Sequence, residues 1–237
     1  MVPALSRQMK LKTSQALYGY WNEVRRGRLA PRRFDIEPSR ISQLLPETFI
    51  LERVEGDRFI FRLAGTRICE AFGREFRGTN LLDLFAGKER SALERLLAIA
   101  TGQGAVVVLT LSAASGRRRP VPLEMVLLPL LHTDESVSRF LCSLAEVEPA
   151  DWLGYEPVDA VLIEEHELIW PDGRPYSILS RLHRPGAFAP LPRLPLARPE
   201  RKRFRVVEGG LSGAAPAGAR LPDVDGSDAT VPKADGT

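Results

Sequence analysis

Cysteine is scarce in this sequence, where only Cys69 and Cys142 occur among 237 residues. Two cysteines are too few for a disulfide framework, and they lack the paired spacing of a zinc site. We therefore expect both to be small buried apolar side chains. The sequence also has no apolar run of the roughly 18 residues that a membrane span requires, and residues 1–12 lack the apolar region of a signal peptide. A cytoplasmic location is the resulting expectation.

Histidine is equally scarce, and the three histidines lie far apart, at His132, His166 and His183. The sequence contains no Ser-His-Asp, His-Glu-x-x-His or Cys-His pattern. The glycines from Gly73 to Gly78 lack the Lys-Ser/Thr pair that follows a phosphate-binding loop. We therefore predict that the protein is not an enzyme, and we predict no metal and no cofactor.

The charge is modest, with a formal value of +3 and a pI near 9.1. Such a balance permits an acidic partner but does not require one. The densest basic run lies near the C-terminus and comprises Arg198, Arg201, Lys202, Arg203 and Arg205. A run of this kind is usually solvated, and the alternative is an arm that binds nucleic acid or an anionic surface.

Apolar spacing predicts an amphipathic helix over residues 14–27, which must dock on another surface. Its apolar side carries the candidate dimer or partner residues Leu17, Tyr20, Trp21 and Val24. Two strands, 49–54 and 59–63, then flank a turn that contains Gly56, which predicts a β-hairpin. Short helical turns at 66–76 and 80–84 lead into a longer core helix at 86–101.

Three further strands are predicted at residues 105–111, 121–131 and 139–147. This order of elements fits an α+β domain, in which a five-stranded antiparallel sheet carries helices on one face. We divide the chain into an N-terminal helix and linker (1–46), a core (47–148), an irregular extension (149–184) and a tail (185–237). The tail is rich in Pro, Gly and Ala and basic in part, and we expect it to be disordered.

Four segments, in this order, resemble the bacterial single PAS-domain family of alphaproteobacterial type (PAS_5-like). They are the helix with Tyr20-Trp21 that leads to Arg26-Gly27, the turn Leu44-Leu45-Pro46, the junction from Arg62 to Arg67 with the later Gly78, and the strand from Glu124 to Leu130. The resemblance implies a PAS fold that acts as a sensory or adaptor module in signal transduction. It carries no catalytic residue and no fixed ligand.

The resemblance also implies a pocket between the sheet and its helices. Its candidate lining residues are Phe61, Leu63, Ile68, Phe72, Leu81, Leu97, Val107, Met125 and Phe140. All have strand or helix spacing typical of core residues, so we expect side chains to fill this space. A flavin photosensor would need an Asn-Cys-Arg-Phe-type string, whereas here Cys69 precedes the corresponding region by one turn. His132, in a predicted turn, is poorly placed as a haem ligand.

Glu124 lies between apolar neighbours in the fourth core strand. Alternation puts its side chain on the face opposite to Leu123 and Met125. It faces solvent or the flanking helix, or it pairs with an arginine such as Arg62 or Arg67, because an unpaired buried charge is costly.

The sequence thus predicts a regulatory PAS protein that acts by binding another protein, as a homodimer through the N-terminal helix. Its mechanism would be a population shift of that helix on partner binding. Two alternatives stay open: a PAS domain that senses a small ligand, and a regulator that binds nucleic acid or anionic surfaces through its basic tail. The sequence names neither the signal nor the partner.

Overall fold

An antiparallel sheet of six strands forms the centre of the computed structural model, which describes residues 9–55 and 57–173. The strand order is β2-β1-β5-β4-β3-β6. The strands are β1 (Thr48–Val54), β2 (Arg58–Ala64), β3 (Val106–Ala114), β4 (Val121–Leu131), β5 (Val137–Glu146) and β6 (Ala160–Ile169).

The described ranges contain three α-helices beside the sheet, namely α1 (Lys12–Arg25), α2 (Thr66–Ala71) and α3 (Gly87–Gln103). Short 3-10 segments occupy Arg33–Asp35, Pro38–Glu47 and Leu81–Leu84. The predicted α+β fold is confirmed, and the helix and strand positions agree to within a few residues. None of the helices in the described ranges is long and apolar enough to cross a membrane.

The sheet has one strand more than the five that were predicted. β6 pairs with β3 and lies in the segment that was expected to be an irregular extension. Its burial does not alternate, because a run of exposed residues from Glu164 to Glu167 fills its centre and a bulge shifts its register opposite Thr110 and Leu111. The strand therefore depends on non-local pairing with β3, which local pattern cannot reveal.

Helices lie on both faces of the sheet. Residues paired across antiparallel strands share a face, so Val126 of β4 and Ser143 of β5 lie together. Ser14 of α1 reaches Ser143 with its hydroxyl at 3.4 Å, which defines the α1 face. The opposite face, here the inner face, carries Met125 and Phe140 and is packed by α2 and α3. β4 is consequently buried along almost its entire length.

Further polar contacts hold α1 near its start, its middle and its end. Buried Glu124 accepts hydrogen bonds from the backbone N–H groups of Lys10 (2.6 Å) and Leu11 (3.0 Å), just before the helix begins. Trp21 donates its indole N–H to the carbonyl of Pro129 at 2.8 Å. Arg25, buried at the other end, pairs with Asp172 at 2.8 Å. The carboxylate of Glu124 thus faces the flanking helix and complements the positive end of its dipole.

Gly65 joins β2 to α2 at a very close approach between two backbone segments. A Cβ atom at this position would lie 2.2 Å from the carbonyl oxygen of Pro46 and 2.3 Å from that of Leu45. The amide of Gly65 also donates to the carbonyl of Thr48 at 2.8 Å, which holds the junction in place. Only glycine fits here without displacing the backbone.

We expect Gly65→Ala to lower the free energy of unfolding by about 2–3 kcal/mol, because the added methyl group overpacks a rigid contact. Gly19→Ala is the matched control, since Gly19 is exposed within α1 and a Cβ atom added there would have no other atom within 4 Å. The control should gain about 0.5–1 kcal/mol from helix propensity. Urea denaturation measures both changes, and equal stabilities for the two variants would contradict the close approach.

Replacing Glu124 tests the attachment of α1. Glu124→Ala should cost about 2–4 kcal/mol of stability, because two backbone donors at the helix start lose their acceptor. Glu124→Gln keeps one acceptor oxygen without the charge and should cost less. Thermal unfolding followed by circular dichroism would reveal this order, and an alanine variant as stable as the wild type would show that the carboxylate does not hold the helix.

Candidate functional site

A cleft of about 760 Å³ opens beside α2. We call it the α2 cleft. It is lined by Glu47, residues 67–73, Leu123, residues 144–146, Ala150 and residues 153–155. Ile68 and Phe72 are buried at its floor, and Tyr155 stands at its rim with 89% of its surface exposed. The volume falls within the range of about 300–1,000 Å³ that is common for binding sites.

The charged groups of the α2 cleft are unevenly paired. Arg67 donates to the carboxylate of Glu47 at 2.5 Å, and Thr13 of α1 donates to the same carboxylate at 2.5 Å. Glu70 and Glu146 are exposed and form no ion pair within the described ranges. The rim of the cleft is therefore net negative.

One wall of the cleft is formed by residues 150–155, which follow β5. Trp152 is buried and donates its indole N–H to the carbonyl of Arg119 at 3.0 Å. Gly154 has a φ of +92°, and a Cβ there would lie 3.0 Å from the carbonyl oxygen of Glu70. The wall therefore presses directly against the end of α2, with a backbone conformation and a spacing that favour glycine.

Comparison with known proteins now decides the family. The PAS_5 family model, described as a PAS domain, matches residues 9–145. The chain belongs to this PAS-domain family. Every described helix lies in the matched segment, and so do the strands β1 to β5 except for the last residue of β5, whereas β6 lies beyond it.

Solved structures give more distant similarities. The crystal structure of the Rhodobacter sphaeroides LOV protein is 17% identical and has a TM-score of 0.36, covering 44% of this chain and 60% of that chain. The structure of an RNA-binding light-oxygen-voltage receptor is 16% identical with a TM-score of 0.32, covering 44% of this chain and 31% of that chain. The chain thus spans less than two thirds of the length of either protein. None of the curated proteins matches its sequence.

Most of the predicted pocket residues form the packed interior of the PAS domain. The rings of Phe61 and Phe49 lie 5.2 Å apart, and the ring of Phe76 lies 5.0 Å from that of Phe61 and 5.4 Å from that of Phe72. The other buried members of the set also lie in this core: Leu81, Leu97, Val107, Met125 and Phe140. Of all the predicted pocket residues, Ile68 and Phe72 alone line the α2 cleft.

Leu63 departs from the predicted inward orientation and is 45% exposed. A bulge in the pairing of β1 with β2 causes this difference, because Phe61 lies opposite Leu51 while Leu63 lies opposite Ile50. Adjacent residues of β1 face opposite sides of the sheet, so Leu63 moves to the α1 face. Simple alternation from Phe61 predicts the wrong face.

The partner candidates on α1 are largely covered within one protomer. Leu17, Tyr20 and Trp21 are buried, and Val24 is half-buried against the core. The hydroxyl of Tyr20 accepts a hydrogen bond from the backbone N–H of Glu37 at 2.7 Å. A dimer interface built on these side chains would require α1 to leave the sheet. The homodimer through this helix stays a prediction.

Other predicted residues lie outside the α2 cleft. His132 is exposed in the turn after β4, beside Asp134. The basic residues Arg198, Arg201, Lys202, Arg203 and Arg205 lie outside the described residues. Sequence reasoning did not select the cleft residues Glu70, Glu146, Leu153 or Tyr155. In the segment that forms the cleft wall, the local feature that indicates a specific turn is Gly154, which lies between Leu153 and Tyr155.

The two cysteines differ in environment. Burial, with the carboxylate of Glu75 beside it, raises the pKa of the Cys69 thiol, which is half-buried and lines the α2 cleft. Cys142 is completely buried in β5, and burial raises the pKa of its thiol well above the ordinary value. Both thiols are therefore protonated and weakly nucleophilic at neutral pH.

We expect N-ethylmaleimide to modify Cys69 slowly in the native protein and to modify Cys142 only after unfolding. The reason is access, since Cys69 opens to the cleft and Cys142 does not reach solvent. Mass spectrometry of peptides from native and urea-unfolded samples shows which cysteine is modified first. Modification of Cys142 as fast as Cys69 in native buffer would contradict the packing of β5.

Proposed function

We propose that this PAS-domain protein is a non-catalytic, cytoplasmic signalling regulator that acts by binding another protein through the α2 cleft. The observation that supports this proposal most directly is the contrast between the filled interior of the domain and the open α2 cleft. Aromatic side chains pack the interior, whereas the α2 cleft is open and combines an apolar floor with charged and aromatic groups at its rim. Protein-binding sites typically have this composition.

A connection between the cleft and α1 supports a regulatory mechanism. Glu47 contacts Arg67 in the cleft and Thr13 in α1 at the same time. A partner that contacts Arg67 therefore acts on a carboxylate that also holds α1. If the partner binds better to one arrangement of α1, it shifts the equilibrium toward that arrangement by its differential affinity.

A second candidate function is the sensing of a small ligand in the same cleft. The cleft volume of about 760 Å³ favours it, because a drug-sized molecule fits such a space. Native mass spectrometry of the freshly purified protein separates the two candidates. A bound molecule that stays with the chain in buffer and is lost on unfolding would favour the ligand sensor.

Tyr155 gives a direct test of the protein-binding function. Tyr155→Ser removes an exposed aromatic side chain at the rim and should leave the fold intact. Truncating an aromatic anchor costs about 1–2 kcal/mol of binding free energy, so recovery of the specific partner should fall about tenfold. The measurement is quantitative mass spectrometry of proteins cross-linked to the tagged full-length chain in cells.

Leu162→Ser is the matched control, since Leu162 is another exposed apolar side chain and lies on β6, outside the cleft. It should retain the proteins captured by the wild type. The proposal fails if Tyr155→Ser and Leu162→Ser recover the same proteins in the same amounts.

A further inference from the structure

We infer that the α2 cleft accepts a partner segment in which apolar side chains are flanked by lysine or arginine. This inference rests on the proposed function and specifies the chemistry of the partner. It follows from the floor, the charge and the rigidity of the cleft, each of which restricts what can enter.

The floor of the cleft is apolar. Its lining comprises Ile68 of α2, Phe72 just after that helix, Leu123 of β4, Leu144 of β5 and Leu153 of the following segment. Because most of these floor side chains are already buried, an entering apolar side chain removes mainly its own surface from water, which is favourable by about 25 cal/mol per Å². The space is large enough for several side chains. The floor therefore selects a segment with more than one apolar residue.

The charges at the rim determine which charge is favoured on the residues that flank the apolar side chains of the partner. Arg67 is already engaged by Glu47, so the cation of the cleft is neutralised. Glu70 and Glu146 are exposed, and neither forms an ion pair in the part of the chain that the structure describes. Lysine or arginine beside the apolar residues would complement these two carboxylates, whereas acidic residues would be repelled.

The same charges disfavour other occupants. Nucleic acid and anionic lipid headgroups would bring phosphates against Glu70 and Glu146, and the described lining residues offer no free cation to offset them. A second copy docked cleft to cleft would oppose the two pairs of carboxylates across its symmetry axis. A basic and apolar polypeptide segment is the occupant that meets both the floor and the rim.

The wall formed by residues 150–155 is held by its own hydrogen bonds. Trp152 anchors it to Arg119, and the backbone N–H groups of Tyr155 and Glu156 donate to the carbonyl of Trp152 at 3.0 Å. Arg118 pairs with Glu156 at the base of the same segment. A preformed wall reduces the ordering cost of binding. Tyr155 stands at its edge, where an aromatic side chain can cover the entering segment.

Cys69 provides a reporter of occupancy, because it lines the cleft. The experiment measures the rate at which N-ethylmaleimide modifies Cys69 in the full-length chain as synthetic peptides are added. Three capped octapeptides serve as probes: alternating leucine and lysine, alternating leucine and glutamate, and alternating glycine and lysine. We expect the leucine-lysine peptide to slow the modification saturably and the other two to leave the rate unchanged.

Charge reversal locates the effect. Glu70→Lys combined with Glu146→Lys should weaken the protection by the leucine-lysine peptide about tenfold or more. Glu165→Lys combined with Glu167→Lys is the control, because it makes the same change of net charge on exposed residues of β6. This control should bind the peptide like the wild type, and circular dichroism would verify that both variants fold.

Two results would overturn the inference: protection by the leucine-glutamate peptide equal to that by the leucine-lysine peptide, or equal loss of protection in the two double variants. Either result would leave the proposed function standing if Tyr155→Ser still lost its cellular partner. The opposite combination is also informative. If the leucine-lysine peptide protects Cys69 but Tyr155→Ser keeps all its cellular partners, the proposed function is refuted. The inferred chemistry of the cleft would then still stand.

Discussion

The burial of β4 on both faces is the constraint on which the rest of the structure depends. Its inner face is buried between β3 and β5, the strands that α2 and α3 contact, and its other face is apolar enough that α1 must cover it. The cover is held by polar contacts at each end of the helix, through Glu124 at the start and Arg25 near the end. A buried carboxylate without a partner would cost several kcal/mol, so Glu124 makes the position of α1 specific as well as favourable.

Much of this fold could be predicted from the sequence, because most of its elements have a clear local period. The helix at α1 and the strands β1 to β5 follow apolar spacing and turn residues within a few positions. The same reasoning failed where a distant partner decides the structure. β6 lacks alternation and depends on β3, and Leu63 changes face because a bulge resets the register beside β1.

The α2 cleft was beyond such reasoning for a related reason. Its floor residues Ile68 and Phe72 were selected as pocket residues, but as part of the space between the sheet and its helices. The cleft exists because residues 150–155 turn back against the end of α2, where Gly154 meets the carbonyl of Glu70. Nothing local to either segment specifies that meeting. The cleft depends on a contact between two segments that are about eighty positions apart along the chain.

Glu47 couples the cleft to α1, and the strength of its ion pair with Arg67 sets an upper limit on that coupling. The ion pair between Arg67 and Glu47 is largely exposed on the arginine side, and exposed pairs contribute at most about 1 kcal/mol. A partner that merely competes for Arg67 would therefore change the equilibrium of α1 about fivefold at most. A larger response requires the partner to contact α1 itself or to disturb Thr13, which shares the carboxylate. By itself, the contact through Glu47 permits only a graded shift of α1, and a switch-like shift needs a second contact along α1.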